Sequence, residues 1–231
     1  MIRWQIALLV AMAIAISYLD RQALPVAIKA IAVDIPVTNE QFSQLQSAFL
    51  LAYAVMYAGG GKLMDVLGTR RGFTLIMLFW SLACASHGLA ASVGALALSR
   101  ALLGAGEGGG FPAATRVVAE WFPVQERSTA MGIINAGTAV GMVVAPPLIA
   151  LVLGTGNWRW VFYLTGALGL AWTLWWHRAY FPPDRHPRLG EAERQEIQSA
   201  LAQGSGPEVG LPWLQLLRFR ETWGVVIAKF L

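Results

Sequence analysis

Apolar residues fall along this chain in long blocks, not in the alternating or every-third rhythm of a water-soluble fold. Six blocks match or approach the ~20 residues that carry a helix across a bilayer. They run over roughly 4–33, 41–63, 72–91, 94–118, 128–153 and 159–178. A polar, Pro-rich stretch follows from 182 to about 210, and within it "RLGEAERQEIQSAL" predicts a short solvated helix. Next, "LPWLQLLRFR" sets Trp213, Leu214 and Leu217 among basic residues, the pattern of an amphipathic segment on a membrane surface. A seventh apolar run, "TWGVVIAKFL", begins at Thr222. Its ten residues are too few to cross a bilayer, so the expectation is an incomplete protein.

The first block opens as a secretory signal does, with Arg3 before an apolar run and Ala13-x-Ala15. Further spans follow it, so an uncleaved first span is expected. Composition agrees with a membrane protein: 56% of residues are hydrophobic and 13% charged, against about 25% charged in soluble domains. Cys84 stands alone, which excludes an internal disulfide and leaves no thiol partner for a metal.

Net charge is +4, and basic residues sit mostly in the loops. With a cytoplasmic N-terminus, twelve of the seventeen Lys and Arg fall on the inside and two on the outside. That is the positive-inside bias, and it removes nucleic acid as the expected partner. Trp4, Trp121, Trp158, Trp160, Trp175 and Trp176 fall near the predicted span ends, where interfacial anchors are expected.

Charges inside the blocks carry the candidate chemistry. Asp20 and Arg21 are flanked by apolar sequence on both sides, which places them within the membrane; the other reading ends the run at Ser17, with the pair in headgroup water. A charge at mid-bilayer costs about 2.5–3.5 kcal/mol or more, so it usually marks function. Pro25 removes a backbone hydrogen bond just beyond them, which predicts a broken helix lining a cavity. Arg100 and Glu107 are seven apart on the fourth block and share a helical face, either as a proton-relay pair or as a structural ion pair. The four charges sum to zero and are buried at low cost only if mutually paired. Tyr53 and Tyr57, four apart, share a face and either offer hydroxyls to a polar solute or simply pack; Asn135 is a further polar candidate.

Gly104-x-Gly106-x-x-Gly109 has the form of a dinucleotide fingerprint, but no strand precedes it and the glycines continue an apolar helix. Gly104/Gly108 and Gly137/Gly141 instead have the small-xxx-small spacing of close helix contacts. His87, His177 and His186 lie at or beyond span ends, and no Ser-His or metal-ligand set appears inside the membrane. No enzyme, metal or cofactor is therefore expected.

The turn "GKLMDVLGTRRG" resembles the signature of the major facilitator superfamily, through Gly61, Leu63, Asp65, Gly68, Arg70 and Arg71. It departs from that signature at Val66, where many members carry a basic residue. "LSRALLGAGE" looks like the superfamily's span-four motif. "YLDRQ", "GEGGGFPAA", "EWFPVQERSTAMG", "APPL", "NWRWVFYLTGALG" and "RFRETWGVVIAKFL" together resemble its anion:cation symporter family, nearest to bacterial hexuronate transporters. The resemblance covers nearly the whole chain.

It implies an all-α membrane fold: a six-helix N-terminal bundle of two inverted three-helix repeats. The bundle would span 1–180, a cytoplasmic loop 181–221, and the start of a seventh helix 222–231. It implies proton-coupled uptake of sugar acids such as hexuronates across the cell inner membrane, driven by the proton gradient without a cofactor. Other organic anions, or a non-functional half-transporter fragment, remain the alternatives. Arg21 would bind the substrate carboxylate, with Tyr53, and by position Tyr57 and Asn135, lining the site. Asp20 and Glu107 would be protonation sites, with Arg100 near Glu107. Gly61, Asp65, Gly68, Arg70 and Arg71 would form a cytoplasmic gate. Its partners would be a sugar acid, protons, the lipid bilayer and a missing C-terminal six-helix half.

Overall fold

The computed structural model describes residues 1–204, 215 and 218–230, and among them every regular element is a helix. The long helices are α1 (Ile2–Asp34), α2 (Asn39–Leu67), α3 (Thr69–Ser86), α4 (Val93–Glu107), α5 (Gly110–Trp121), α6 (Arg127–Leu153) and α7 (Arg159–Ala179). The helices α8 (Glu191–Gly204) and α9 (Arg220–Phe230) follow. Local sequence sets several starts. Thr38 and Gln41 form a reciprocal capping box before α2, and Ser92 accepts from the Ala95 N–H before α4. Gly68 takes a φ of +74° in the tight turn between α2 and α3, a region that favours glycine.

Among the described residues, four helical stretches are long and apolar enough to cross a membrane by length and composition: 2–34, 39–67, 69–89 and 124–153. The fourth predicted block is divided. Its helix stops at Glu107 and restarts at Gly110, so Gly108 and Gly109 form a break rather than continuing one helix. The break predicted at Pro25 is absent, and α1 runs through it unbroken. Proline at 25 frees the Arg21 carbonyl, and Arg100 Nη2 donates to that oxygen at 3.4 Å, so the lost bond is replaced from a neighbouring span.

Counting α4 and α5 as one span, the main interfaces are first with fifth, second with fourth, and third with sixth. Smaller ones join first with sixth and third with fourth. Exchanging spans one to three with four to six maps this set onto itself, as inverted three-helix repeats require. The glycine spacing is borne out in both equivalent interfaces. A side chain on Gly104 or Gly108 would strike the Phe49 or Tyr53 carbonyl of α2, and one on Gly137 or Gly141 the Ala11 or Ala15 carbonyl of α1.

Three tryptophans expected at the membrane surface are core residues instead: Trp121, Trp158 and Trp176 are buried. Trp176 stacks between Trp172 and Tyr180, whereas Trp160 and Trp175 are exposed as expected. Nor is α8 simply solvated. Glu193 accepts from the first backbone amides of α1, at Ile2 and Arg3, where a carboxylate suits the helix N-terminus. Arg3 is buried between Glu126 and Glu196, and Ile197 is fully buried. The amphipathic segment predicted at 211–220 lies largely outside the described residues.

Candidate functional site

Ser17 and Arg21 lie one turn apart on α1 and face the end of α4. The Ser17 hydroxyl donates to Glu107 Oε2 at 2.7 Å, and Arg21 Nε pairs with the same oxygen at 2.6 Å. Glu107 is fully buried, and its other oxygen, Oε1, is buried without a hydrogen-bond partner among the described residues. A buried acceptor without a partner is unusual and asks for an explanation.

Aromatic rings surround the Arg21 guanidinium. Its central carbon lies 4.6 Å from the Tyr53 ring centroid, 4.7 Å from Tyr18 and 5.4 Å from Phe49. Such faces attract a cation through the ring quadrupole while leaving its hydrogen-bonding edge free to turn to a ligand. Tyr18 and Tyr53 also form one wall of an open cleft of about 900 Å³. Tyr57, Thr115, Asn135 and Thr138 line the same cleft, so α1, α2, α5 and α6 all face it. Thr115 and Thr138 carry hydroxyls that the sequence reading did not single out. The Asn135 amide donates to the Met131 carbonyl of its own helix at 2.9 Å.

The four intramembrane charges come together, but not as the mutually paired set that low-cost burial called for. Glu107 pairs with Arg21 of α1, not with Arg100 on its own helix. Arg100 instead donates to Gln46 Oε1 at 2.5 Å, and its guanidinium carbon lies 5.2 Å from the Phe49 ring. Asp20 has no cationic partner among the described residues. The Trp80 indole donates to its Oδ2 at 2.9 Å and the Cys84 thiol to its Oδ1 at 3.3 Å. Cys84 touches Thr165 of α7 at 3.1 Å, which ties this carboxyl to a third span. Gln46 and Trp80 escaped the sequence reading because polar and aromatic residues abound in the blocks and nothing in their spacing separates them, and Ser17 and Cys84 were given no part in the site.

The turn motif sits at the N-terminal end of the bundle. Asp65 pairs with Arg116 of α5 at 3.2 Å, and Arg116 pairs with Glu120 at 3.0 Å. Glu120 also accepts from Thr69 and Tyr180, both at 2.6 Å. Burial pushes the Tyr180 phenol well above its ordinary pKa, so it stays a donor. Arg70 donates to the His177 carbonyl at 2.5 Å and lies over the Phe181 ring, while Arg71 is exposed and Gly61 faces open space. Arg116 and Glu120 were missed, although their i,i+4 spacing marked a helical ion pair.

The profile described as Major Facilitator Superfamily matches residues 10–231. A galacturonate transporter of Dickeya chrysanthemi is 34% identical over 233 residues, covering 100% of this chain and 67% of that protein. A hexuronate transporter of Escherichia coli K12 is 33% identical, covering 100% and 54%. A probable sulfoacetate transporter of Cupriavidus necator is 35% identical, covering 93% and 50%. The chain therefore spans from half to two thirds of the length of these curated relatives. Among solved structures, an inward-facing bacterial homologue of the human lysosomal transporter Spinster aligns with a TM-score of 0.69. It is 24% identical and covers 78% of this chain and 44% of that one, a likeness of fold.

Proposed function

This chain belongs to the Major Facilitator Superfamily, a family of membrane transporters rather than enzymes, and on that footing we propose that it serves proton-coupled uptake of sugar acids. Residues 1–180 would form the N-terminal half of the carrier, with the N-terminus cytoplasmic and the positive-inside loops facing it. The cleft would be closed by a second six-helix half, since substrate sites in such carriers lie where two repeats meet. Residues 181–221 would connect the two halves.

One observation carries this reading: the buried Glu107 is paired with a partly exposed Arg21 beside an open cleft that carries tyrosine, threonine and asparagine side chains. A planar guanidinium is a two-pronged carboxylate receptor, and here a resident carboxylate competes for it. Protonation of Glu107 would weaken its bond to Arg21 Nε and release the guanidinium to an incoming sugar-acid carboxylate. The orphaned Oε1 offers a place for that proton. Asp20, without a cationic partner among the described residues, would be the second protonation site, and Arg100 would hold the α1 backbone and the Gln46 side chain of α2 around the pair. Tyr53, Tyr57 and Asn135 would meet the sugar hydroxyls. The charged turn of Asp65, Arg70 and Arg71, with Gly68 permitting its shape and Gly61 one helical turn before Asp65, would act as the cytoplasmic gate.

The sulfoacetate relative favours a second reading, in which the same receptor takes other small organic anions. Both readings are tested by uptake of labelled galacturonate and sulfoacetate into proteoliposomes under an inward proton gradient. The chain is reconstituted alone and joined to a downstream six-helix half. Accumulation of galacturonate supports the first reading. The Glu107→Gln variant should then exchange substrate across the membrane but not accumulate it. Gradient-driven accumulation by Glu107→Gln refutes the role given to that residue.

A further inference from the structure

A groove away from the cleft opens at the N-terminal end of the bundle, between α1 and the end of α7, with a volume of about 420 Å³. Leu8, Leu9, Met12 and Trp175 form an apolar wall; His186 and Arg188 form the mouth. Leu8 is 55% and Trp175 52% exposed, so both face whatever surrounds the bundle. The groove thus changes from hydrocarbon to cationic where a bilayer changes from acyl chain to headgroup.

The mouth is built and held in place. After α7 the chain folds back beneath the bundle, burying Pro183, His186 and Leu189. Arg194 secures this loop by donating to the Asp184 carbonyl at 3.0 Å and the His186 carbonyl at 3.1 Å. The His186 ring stands edge-on to Trp121 at 5.4 Å and Phe181 at 6.0 Å, and its Nδ1 accepts from the Arg188 backbone N–H at 3.3 Å. The backbone of Arg188 is thereby held at the mouth, its side chain is exposed, and among the described residues no carboxylate forms an ion pair with it. Glu193, which would repel an anion there, is engaged by the Ile2 and Arg3 amides.

We propose that this groove binds an anionic glycerophospholipid, with one acyl chain along Leu8, Met12 and Trp175 and the phosphate on Arg188. The groove needs no transported substrate. It rests on the reading above only in that the chain lies in a bilayer, so transport failure and lipid-binding failure are separable.

Bromine on an acyl chain quenches tryptophan on contact, and Trp175 is the reporter. The chain is reconstituted in vesicles of phosphatidylglycerol and phosphatidylcholine, with bromine on one lipid at a time. Subtracting the signal of Trp175→Phe isolates this site from the other tryptophans. The expected result is quenching by phosphatidylglycerol at about fivefold lower mole fraction than by phosphatidylcholine, the factor for one arginine at an anionic surface. Arg188→Ala should make the two lipids equal. Arg185→Ala should leave the preference intact, because Arg185 is already paired with Asp184 at 3.1 Å and lies outside the groove. Equal quenching by both lipids in the unaltered chain overturns the proposal. So does an equal loss in Arg185→Ala and Arg188→Ala, which marks a diffuse surface potential.

Discussion

Gly132 and Gly137 lie on the same helix, and replacing each with alanine should affect stability unequally. A Cβ at Gly137 would sit 3.0 Å from the Ala11 carbonyl carbon and 3.3 Å from its Cα, and closer still to the carbonyl oxygen. Those are backbone atoms, so no rotamer relieves the collision and α1 and α6 must part. A Cβ at Gly132 meets nothing within 4 Å. Both changes gain the same helix propensity, about 1 kcal/mol. Only Gly137→Ala pays overpacking, about 1–3 kcal/mol. Propensity cancels in the comparison, so Gly137→Ala should be less stable than Gly132→Ala by about 1–3 kcal/mol, or roughly 5- to 150-fold in the folded-to-unfolded ratio. Reversible unfolding in mixed detergent–SDS micelles, followed by circular dichroism, measures this gap. If the two variants unfold together, the close approach of α1 and α6 is wrong.

Trp80→Phe should destabilise the fold by about 1–3 kcal/mol, because Asp20 Oδ2 loses its indole donor; adding Asp20→Asn should cost less in that background than alone, which a double-mutant cycle by the same unfolding assay detects. Glu120→Ala leaves the buried Tyr180 hydroxyl without its acceptor and should cost about 1–3 kcal/mol, whereas Arg116→Ala breaks only exposed pairs and should cost less than about 1 kcal/mol; equal losses in thermal unfolding contradict this. Burial holds the His186 imidazole below its ordinary pKa of 6.5. An undocked loop therefore takes up a proton near pH 6.5 that the docked loop refuses. Docking should be strongest above that pH, weaken as pH falls below it, and level off beneath the depressed value. Hydrogen exchange across 181–190 should show this slope, and His186→Phe should lose it.

Block length alone made most spans legible, and glycine spacing marked the two closest helix pairs, because both depend on local sequence. Pairing across spans was not legible. The seven-residue spacing joined Arg100 to Glu107, yet Glu107 is met from α1. A shared face does not fix where two long side chains reach, and packing decides that. Pro25 announced a lost hydrogen bond, but only tertiary contact reveals that Arg100 fills it. Tryptophan near a span end reads alike whether it faces headgroups or the core, so Trp121 and Trp176 were misplaced. Glu193 caps a helix that begins about 190 residues earlier, a distance at which sequence pattern carries no signal.

The interruption at Gly108–Gly109 divides span four into two arms with different duties. Glu107 ends the first arm, beside α1 and α3, whereas Arg116 and Glu120 ride on the second, fastened to the turn that follows α2. An intact rod would pass any tilt of one end directly to the other. With the rod interrupted at its middle, the lower arm is fastened to the turn it grips, and the upper arm separately seats its carboxylate on Ser17 and Arg21.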